Sequence, residues 1–355
     1  MPLSTPVVWT DAHRRHVPGG ETWIGMRIPG DEVPERAEAI RAALEAAGAP
    51  VVAADPHDDA ALLAVHDAGL VEFLQTAWQR WQAAGYPDDP GQDRVVGYLF
   101  PTAGLLGELA PADPAAASAR TGLWAFDTMT PIGPGTWDAV RAAVDCALTA
   151  CDLVLGGAPA AYACTRPPGH HVTRAAYGGS CYLNNAAAAA QYLRDHGRRR
   201  VALVDVDAHH GNGAQSIFWS CSDVATCSVH VDPGAGWFPH FLGFEHDGGQ
   251  ANLNVCLPPG AGDAEWLAGI DRLAAFVREH EAVALVVALG VDAAAGDPES
   301  PLAVTGHGLR EAGRALGRLR LPTVLVQEGG YDLATLGGLV LAALEGFEDG
   351  RDEAD

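Results

Sequence analysis

The chain has 355 residues, a formal net charge of −23 and no lysine, a composition that excludes a broad basic surface for DNA or RNA. Its first ten residues lack a charged leader followed by an apolar core, and no apolar stretch reaches about 18 residues, so we expect a cytoplasmic protein with no membrane partner. Seven cysteines without CxxC spacing are typical of reduced, mostly buried thiols and do not indicate a disulfide framework.

Alanine-rich helical stretches alternate along the chain with short apolar strands. The periodicity predicts helices over 35–47, 136–151, 185–195, 263–280 and 308–318. It predicts buried strands in the segments 201–206, 284–292 and 322–331. We find no internal repeat. The alternation therefore predicts one α/β domain over residues 1–355, with a parallel sheet covered by helices on both faces.

The segment between Trp78 and Trp137 differs from the rest of the chain, because it is rich in aromatic residues and prolines. We interpret 78–137 as an insertion into the domain. Its low-complexity patch PADPAAASA (111–119) is predicted to be a surface loop within that insertion, not a linker between domains.

The most reactive segment is DVDAHHGNG (205–213), which directly follows the strand 201–206. Asp207 and His209 are two residues apart, so in an extended strand end they project to the same side. A carboxylate oxygen beside a neutral imidazole nitrogen suits Zn, Fe(II) or Mn(II) better than Ca or Mg. An isolated D-x-H sequence is more often a polar turn, so the metal interpretation depends on the other segments.

Three further segments place reactive side chains on a strand end or in the following loop. They supply His170 and His171 in the loop 165–185, Asp292 at the end of 284–292, and Glu328 and Tyr331 in 322–331. A lone histidine pair in a loop is more often structural. Because open parallel sheets place their sites at the carboxyl ends of strands, four such segments together favour one catalytic metal site.

These motifs resemble the arginase-deacetylase superfamily, and within it the zinc-dependent histone deacetylases and acetylpolyamine amidohydrolases. The matching segments are RPPGHH (166–171), GGSCYLNN (178–185), DVDAHHGNG, GVDAAAGDP (290–298) and EGGYD (328–332). FPHFLGFE (238–245) and the insertion are most similar to the bacterial acetylpolyamine amidohydrolases. The resemblance implies an eight-stranded parallel sheet with helices on both faces.

The resemblance also implies the roles of individual residues. It assigns one catalytic Zn²⁺ per chain to Asp207, His209 and Asp292, with room left for water and substrate. It makes His171 the general base and His170 a support for charge in the transition state. A structural K⁺ ion would lie near Asp205, Asp207, His209 and Ser228.

Hydrogen-bond partners complete that assignment. The resemblance pairs His170 with Asp205 and His171 with Asn212, and makes Tyr331 the donor to the oxyanion. Asparagine stands where some branches have aspartate, so the pKa of His171 should be raised less than by a carboxylate.

Substrate-binding residues are predicted less sharply. Glu299 occupies the position at which a polyamine-selective vertebrate relative has a glutamate, and the alternative is a solvated loop carboxylate. The further candidates are Gly179, Phe238, Glu21 and Asp127. Ser180 stands where the family usually has an aromatic residue, which predicts a wider or more polar channel. Either Trp237 or Phe238 could supply the second aromatic wall.

The leading hypothesis is a zinc-dependent amidohydrolase that releases acetate from acetylated polyamines or short acetylated alkylamines. An acidic surface would attract such cations, although an acidic bacterial proteome would explain the same charge. The alternatives are a protein acetyl-lysine deacetylase, a ligand-binding relative without turnover and, less favoured, a di-manganese arginase-like enzyme. The resemblance further implies that the insertion forms a homodimer and narrows the active-site entrance.

Overall fold

The structure is a computed structural model that describes residues 2–249 and 251–353. Ten strands and eleven α-helices are present in the described ranges. The strands are β1 Val7–Trp9, β2 Glu21–Trp23, β3 Met26–Ile28, β4 Val51–Ala53, β5 Ala160–Ala163, β6 Val201–Asp205, β7 Val224–Val231, β8 Asn252–Leu257, β9 Ala284–Leu289 and β10 Thr323–Gln327. The helices are α1 Glu35–Ala46, α2 Ala60–Val65, α3 Ala68–Ala83, α4 Ala103–Leu106, α5 Ala117–Trp124, α6 Thr136–Leu155, α7 Asn185–Asp195, α8 Asn212–Phe218, α9 Asp263–Glu279, α10 Gly306–Gly317 and α11 Leu336–Asp352.

Eight strands form a single parallel sheet in the order β4-β1-β5-β10-β9-β6-β7-β8, while β2 and β3 form a separate antiparallel hairpin. The register pairs Val324 with Val286 between β10 and β9, and Val201 with Ala284 between β6 and β9. The fold predicted from the sequence is therefore confirmed: one α/β domain with an eight-stranded parallel sheet.

Both faces of the central strands are buried, because successive residues point to opposite sides and an apolar cluster covers each side. On β6, Leu203 belongs to one apolar cluster, which includes the buried faces of α6 and α7. Ala202 and Val204 belong to the other, which includes those of α1, α9, α10 and α11. The central strands β6 and β9 are apolar on both faces, which explains their near-continuous apolar sequences, whereas Thr226, Ser228 and His230 share one face of β7.

The predicted helices are all present, with small differences at their ends. Helix α6 continues four residues past the predicted end at 151, and α10 begins at Gly306, where the Thr305 hydroxyl accepts a hydrogen bond from Gly308 N. The predicted surface loop 111–119 is a loop over 111–116, but its last three residues are helical because α5 begins at Ala117. Alanine and serine have sufficient helix propensity once the segment packs against the domain.

Most aromatic residues of the insertion pack against the domain itself. Trp81 is buried, stacks on Tyr86 with ring centroids 4.0 Å apart, and donates a hydrogen bond to the Gln92 carbonyl. Tyr98, in contrast, is 69 % exposed. Within the described ranges, no helix is long and apolar enough to cross a membrane.

Candidate active site

The reactive segments meet at one edge of the sheet because their strands are neighbours. The segments follow β5, β10, β9 and β6, which are adjacent in that order in the sheet. All four strands are parallel, so their carboxyl ends lie on the same side.

Asp207, His209 and Asp292 form a cluster with the geometry of a metal site. One potential ligand atom from each lies within 4.8 Å of the other two. His209 Nδ1 faces both carboxylates, at 3.3 Å from Asp207 Oδ1 and 3.1 Å from Asp292 Oδ2. A single cation could therefore contact all three atoms.

The electrostatics of this cluster favour a divalent cation. Burial and the nearby charge of Asp207 raise the pKa of Asp292 to about 7. Burial opposes the ionisation of Asp207 as well, yet the positive charges of His170 and His209 hold its pKa well below the usual range. Two buried carboxylates at such close range repel each other, and a divalent cation would balance their charge. The carboxylate and imidazole donors thus fit a metal of the zinc type.

Backbone amides fix the two carboxylates in place. Ala208 N donates to Asp292 Oδ1 at 2.8 Å, and Gly329 N donates to Asp207 Oδ2 at 2.7 Å. A Cβ atom at position 329 would overlap both carboxylates, so only glycine allows this close approach.

His170 and His171 lie side by side, with ring centroids 3.9 Å apart. His170 Nδ1 is 2.9 Å from Asp205 Oδ2, and His171 Nδ1 is 2.7 Å from Asn212 Oδ1. Although burial by itself lowers the pKa of His170, the charges of Asp207 and Asp205 raise it to about 10. Burial and the positive charges of His170 and His209 lower the pKa of His171 far below its usual value. Burial and neighbouring charges therefore move the pKa values of the two imidazoles in opposite directions.

The Asn212 amide determines the tautomer of His171. Asn212 Nδ2 donates to the His171 carbonyl at 3.0 Å, so its Oδ1 faces the ring and can only accept. His171 Nδ1 must carry the proton, which leaves a lone pair on Nε2 when the ring is neutral.

Arg36, which the sequence analysis did not single out, holds the loop of Tyr331. Its guanidinium lies 4.4 Å from the centre of the Tyr331 ring. It donates to the carbonyls of Gly330 and Glu328, each at 2.6 Å. Asp297 accepts a hydrogen bond from Tyr331 N at 2.8 Å. No local signal marks Arg36, because an arginine on a helix is usually exposed.

A second buried arginine, Arg166, anchors the loop that carries the histidine pair. It donates to the carbonyls of His13 and His16 and to the Glu32 carboxylate at 2.9 Å. Burial alone would raise the pKa of Glu32, but Arg166 and Arg36 hold it far below the usual range. The RPPGHH motif therefore supplies the arginine of a structural ion pair, in addition to its two histidines.

A narrow cavity of about 70 Å³ leads to the metal cluster. Its lining consists of Glu21, Met129, His171, Gly179, Ser180, His209, Phe238, Glu299 and Tyr331. Most of the residues predicted to bind substrate therefore meet in one cavity. Gly179 has φ +61°, and a Cβ atom there would overlap the His171 ring. The cavity depends on glycine at that position.

Two carboxylates from distant segments face this cavity. Ser180 Oγ donates to Glu21 Oε1 at 3.4 Å, so a small polar residue occupies the place where an aromatic wall was expected. Burial and the negative charges of Glu299 and Asp127 raise the pKa of Glu21 to about 8. Burial also raises the pKa of Glu299. One wall of the cavity therefore carries two carboxyl groups whose ionisation burial opposes.

Phe238 forms the opposite wall. Its ring is 4.7 Å from the His171 ring in an edge-to-face arrangement, whereas Trp237 packs against the apolar core. The alternative between Trp237 and Phe238 is thereby decided in favour of Phe238.

Asp127 is near the cavity but does not line it. Its carboxylate accepts hydrogen bonds from the backbone amides of Gly179, Met129 and Thr130. These hydrogen bonds hold the Gly179 loop in place. Both carboxylate oxygens of Asp127 already have partners, so neither needs to bind the substrate.

An apolar groove of about 570 Å³ adjoins the narrow cavity and shares Met129 and Phe238 with it. Trp23, Phe126 and Phe241 are among its lining residues. Ile24 and Phe241 on its rim are 83 % and 90 % exposed. Large exposed apolar residues beside an apolar groove form a contiguous patch, not scattered single residues. Such a patch indicates a contact surface.

Comparisons with known proteins agree with this geometry. A sequence profile of the histone deacetylase domain matches residues 31–347. The chain is 38 % identical to acetylpolyamine amidohydrolase 1 of Pseudomonas aeruginosa, over 96 % of this chain and 98 % of that protein. It is 41 % identical to the acetylpolyamine amidohydrolase of Burkholderia pseudomallei, over 91 % and 92 %.

The fold is shared as well. The crystal structure of an acetylpolyamine aminohydrolase from Burkholderia pseudomallei superposes with a TM-score of 0.91 at 38 % identity, and the match covers 98 % of this chain and 99 % of that one. The chain therefore belongs to the histone deacetylase family, in its acetylpolyamine amidohydrolase group.

Proposed function

We propose that the protein is a zinc-dependent amidohydrolase that deacetylates acetylated polyamines or similar short acetylated alkylamines. The amidohydrolase class is that of its relatives over nearly the full chain. The observation that carries the substrate class is the acidic wall of the cavity, where Glu21 and Glu299 lie near His171 and His209.

Asp207, His209 and Asp292 would hold the metal, and we propose Zn²⁺ because two carboxylates and one imidazole match the ligand set of catalytic zinc sites. When bound, the metal would polarise the amide carbonyl and lower the pKa of a coordinated water molecule to about 7. We further propose a structural K⁺ ion beside Asp205 and Ser228, which are paired in the sheet register.

The two histidines have different proposed roles because their protonation differs. His171 is neutral with a free lone pair on Nε2, so it can accept a proton from the attacking water and later donate it to the leaving amine. His170 carries a positive charge that Asp205 stabilises, and it supports the negative charge of the transition state.

Tyr331 is the proposed donor to the oxyanion. Burial raises the pKa of its phenol far above the usual value, so the hydroxyl keeps its proton at neutral pH. Arg36 and Asp297 fix its loop, and the ring faces the same cavity as His171 and His209. Such a donor contributes about 10²- to 10³-fold to the rate.

Substrate selection is assigned to Glu21 and Glu299. A charge-assisted hydrogen bond between a partly buried carboxylate and an ammonium contributes roughly 1.5–3 kcal/mol. The neutral backbone of a peptide offers no such partner. A substrate with a second amine a few bonds from the acetamide can use this wall.

The alternative substrate is a protein acetyl-lysine. The apolar groove beside the cavity favours it, because Trp23 and Phe126 could contact residues that flank a lysine. Turnover of acetylputrescine, acetylspermidine and an acetyl-lysine peptide, measured side by side on the metal-loaded protein, separates the two. We expect the acetylated polyamines to have the higher kcat/KM, and the reverse order would assign the protein to the lysine deacetylases. No turnover of any of the three would favour the ligand-binding alternative.

A homodimer and a cytoplasmic location complete the proposal. The buried Trp81 donates its hydrogen bond within its own chain and gives no support for a dimer. The support comes from exposed apolar residues of the insertion, which are Tyr98, Leu99, Leu105 and Leu109. Light scattering should give twice the chain mass of 36.9 kDa, and a monomer at micromolar concentration would remove the dimer from the proposal. The cysteines are all free thiols, which is typical of a reducing compartment.

A further inference from the structure

A second cluster of potential metal ligands adjoins the first, with His170 Nε2 3.8 Å from Asp207 Oδ1. One ligand atom each from His170, Cys181 and Glu328 lies within 4.8 Å of the other two, and all three residues are buried. Among the described residues, only this cluster and the Asp207 cluster bring three such groups together. Its residues come from the loop after β5, the GGSCYLNN motif and the end of β10.

The Glu328 carboxylate has an oxygen without a hydrogen-bond partner, which indicates a missing ligand. Its Oε2 atom accepts hydrogen bonds from Gly169 N at 2.6 Å and His170 N at 3.1 Å. Its Oε1 atom has no hydrogen-bond partner, although the residue has 0 % exposure. A buried oxygen without a partner is costly in either protonation state, and a bound cation would satisfy it.

The other two groups supply complementary donors. His170 Nδ1 is held by Asp205, so Nε2 is the ring atom available to a ligand. Cys181 is fully buried, two residues after Gly179, which lines the active-site cavity. A thiolate, an imidazole and a carboxylate are the ligands that borderline-soft divalent metals prefer.

We propose that His170, Cys181 and Glu328 form a second divalent-metal site, selective for Zn²⁺ or Cd²⁺, whose occupation inhibits the enzyme. Binding releases to solvent the thiol proton of Cys181, the proton on His170 Nε2 and any proton on the Glu328 carboxyl, because the metal takes a thiolate, an imidazole lone pair and a carboxylate. Inhibition follows because the cation occupies His170 Nε2, the ring atom that lies 3.8 Å from Asp207 Oδ1 in the catalytic cluster. The inhibition rests on the proposed function, whereas binding at this site does not.

The test is a CdCl₂ titration of the holoenzyme that already carries one equivalent of Zn²⁺. Of the two clusters, only the His170–Cys181–Glu328 cluster can give a cadmium–thiolate charge-transfer absorbance, because the Asp207 cluster has no cysteine. Wild type should take up a further equivalent with this absorbance. Cys181→Ala should lose the absorbance and bind the second ion at least ~100-fold more weakly. Cys164→Ala, another buried thiol, should behave like wild type.

Glu328→Gln is a second variant that keeps an oxygen for the two backbone amides while removing the charge. It should also weaken the second equivalent, which keeps the proposal testable if Cys181→Ala does not fold. Unchanged absorbance in both variants, or no second equivalent in wild type, would overturn the site. If the second ion binds with the thiolate absorbance but excess ZnCl₂ leaves turnover unchanged, the inhibitory role is wrong. Failure of the proposed function would instead appear as no turnover before any second ion is added.

Discussion

The floor of the active site and its entrance hold their charged groups in different ways. On the floor, the Asp207 and Asp292 carboxylates are buried and accept hydrogen bonds from backbone amides on neighbouring strand ends. At the entrance, Glu21 and Glu299 are half-buried, and Glu21 accepts a long hydrogen bond of 3.4 Å from Ser180. Backbone hydrogen bonds fix the two carboxylates on the floor in one arrangement. The two carboxyl groups at the entrance are held less tightly and can pair with a cationic substrate. Changes on the floor should therefore abolish turnover, and changes at the entrance should redistribute it among substrates.

The largest effect is expected from a metal ligand. Asp292→Ala should lose the bound metal and lower turnover by at least about 10³-fold, because several kcal/mol of charge stabilisation disappear. Metal content and activity are measured on the same sample. Asp232→Ala, which changes an aspartate after β7 outside the cluster, should keep both. Full metal content in Asp292→Ala would show that the ion binds elsewhere.

Tyr331→Phe should lower kcat by at least ~10²-fold with the metal still bound, because the oxyanion loses its side-chain donor. The matched control is Tyr98→Phe, which removes a hydroxyl from an exposed tyrosine and should leave kcat unchanged. Near-normal turnover in Tyr331→Phe would remove the phenol from the mechanism.

Glu299→Leu should lower kcat/KM for acetylspermidine by about 10- to 100-fold while leaving or improving that for an acetyl-lysine peptide. The reason is the loss of a carboxylate that can pair with a distal ammonium. Glu279→Leu, at the end of α9, removes a glutamate that does not line the cavity and should affect neither substrate. If both substrates lose activity together in Glu299→Leu, the side chain supports the loop of Asp292 and does not select the substrate.

The smallest effect is a pH dependence at the entrance. The raised pKa of Glu21, about 8, means that its carboxyl is mostly neutral at pH 7 and mostly charged at pH 9. Because an ammonium of ordinary pKa stays charged over this range, kcat/KM for acetylspermidine should rise with pH by at most about tenfold.

Glu21→Gln should remove this rise. Glu299→Gln should shift it to lower pH, since the charge of Glu299 helps to raise the pKa of Glu21. The pH profile of kcat/KM is the measurement, and an identical profile in wild type and Glu21→Gln would exclude Glu21 as its source.

The sequence by itself determined three of the eight strands in the described parallel sheet, five of the eleven described helices and the reactive residues that follow those strands. Apolar runs such as 201–206 and 284–292 are typical of buried strands in a doubly covered sheet, which predicted that the polar residues after them lie at its carboxyl end. The motif resemblance then named the partners, and the structure places His170 beside Asp205 and His171 beside Asn212.

Only the tertiary structure decided which distant residues complete the site. Arg36 lies under Tyr331 because α1 packs against α11 near the end of β10, and nothing within α1 indicates that contact. Asp127 supports Gly179, and Phe238 rather than Trp237 faces His171. Local sequence patterns determine whether a segment is a helix, a strand or a loop, because secondary structure depends on neighbours within a few residues. Contacts between residues that are 52 to 294 positions apart in the sequence depend on how the segments pack, and that information is not local.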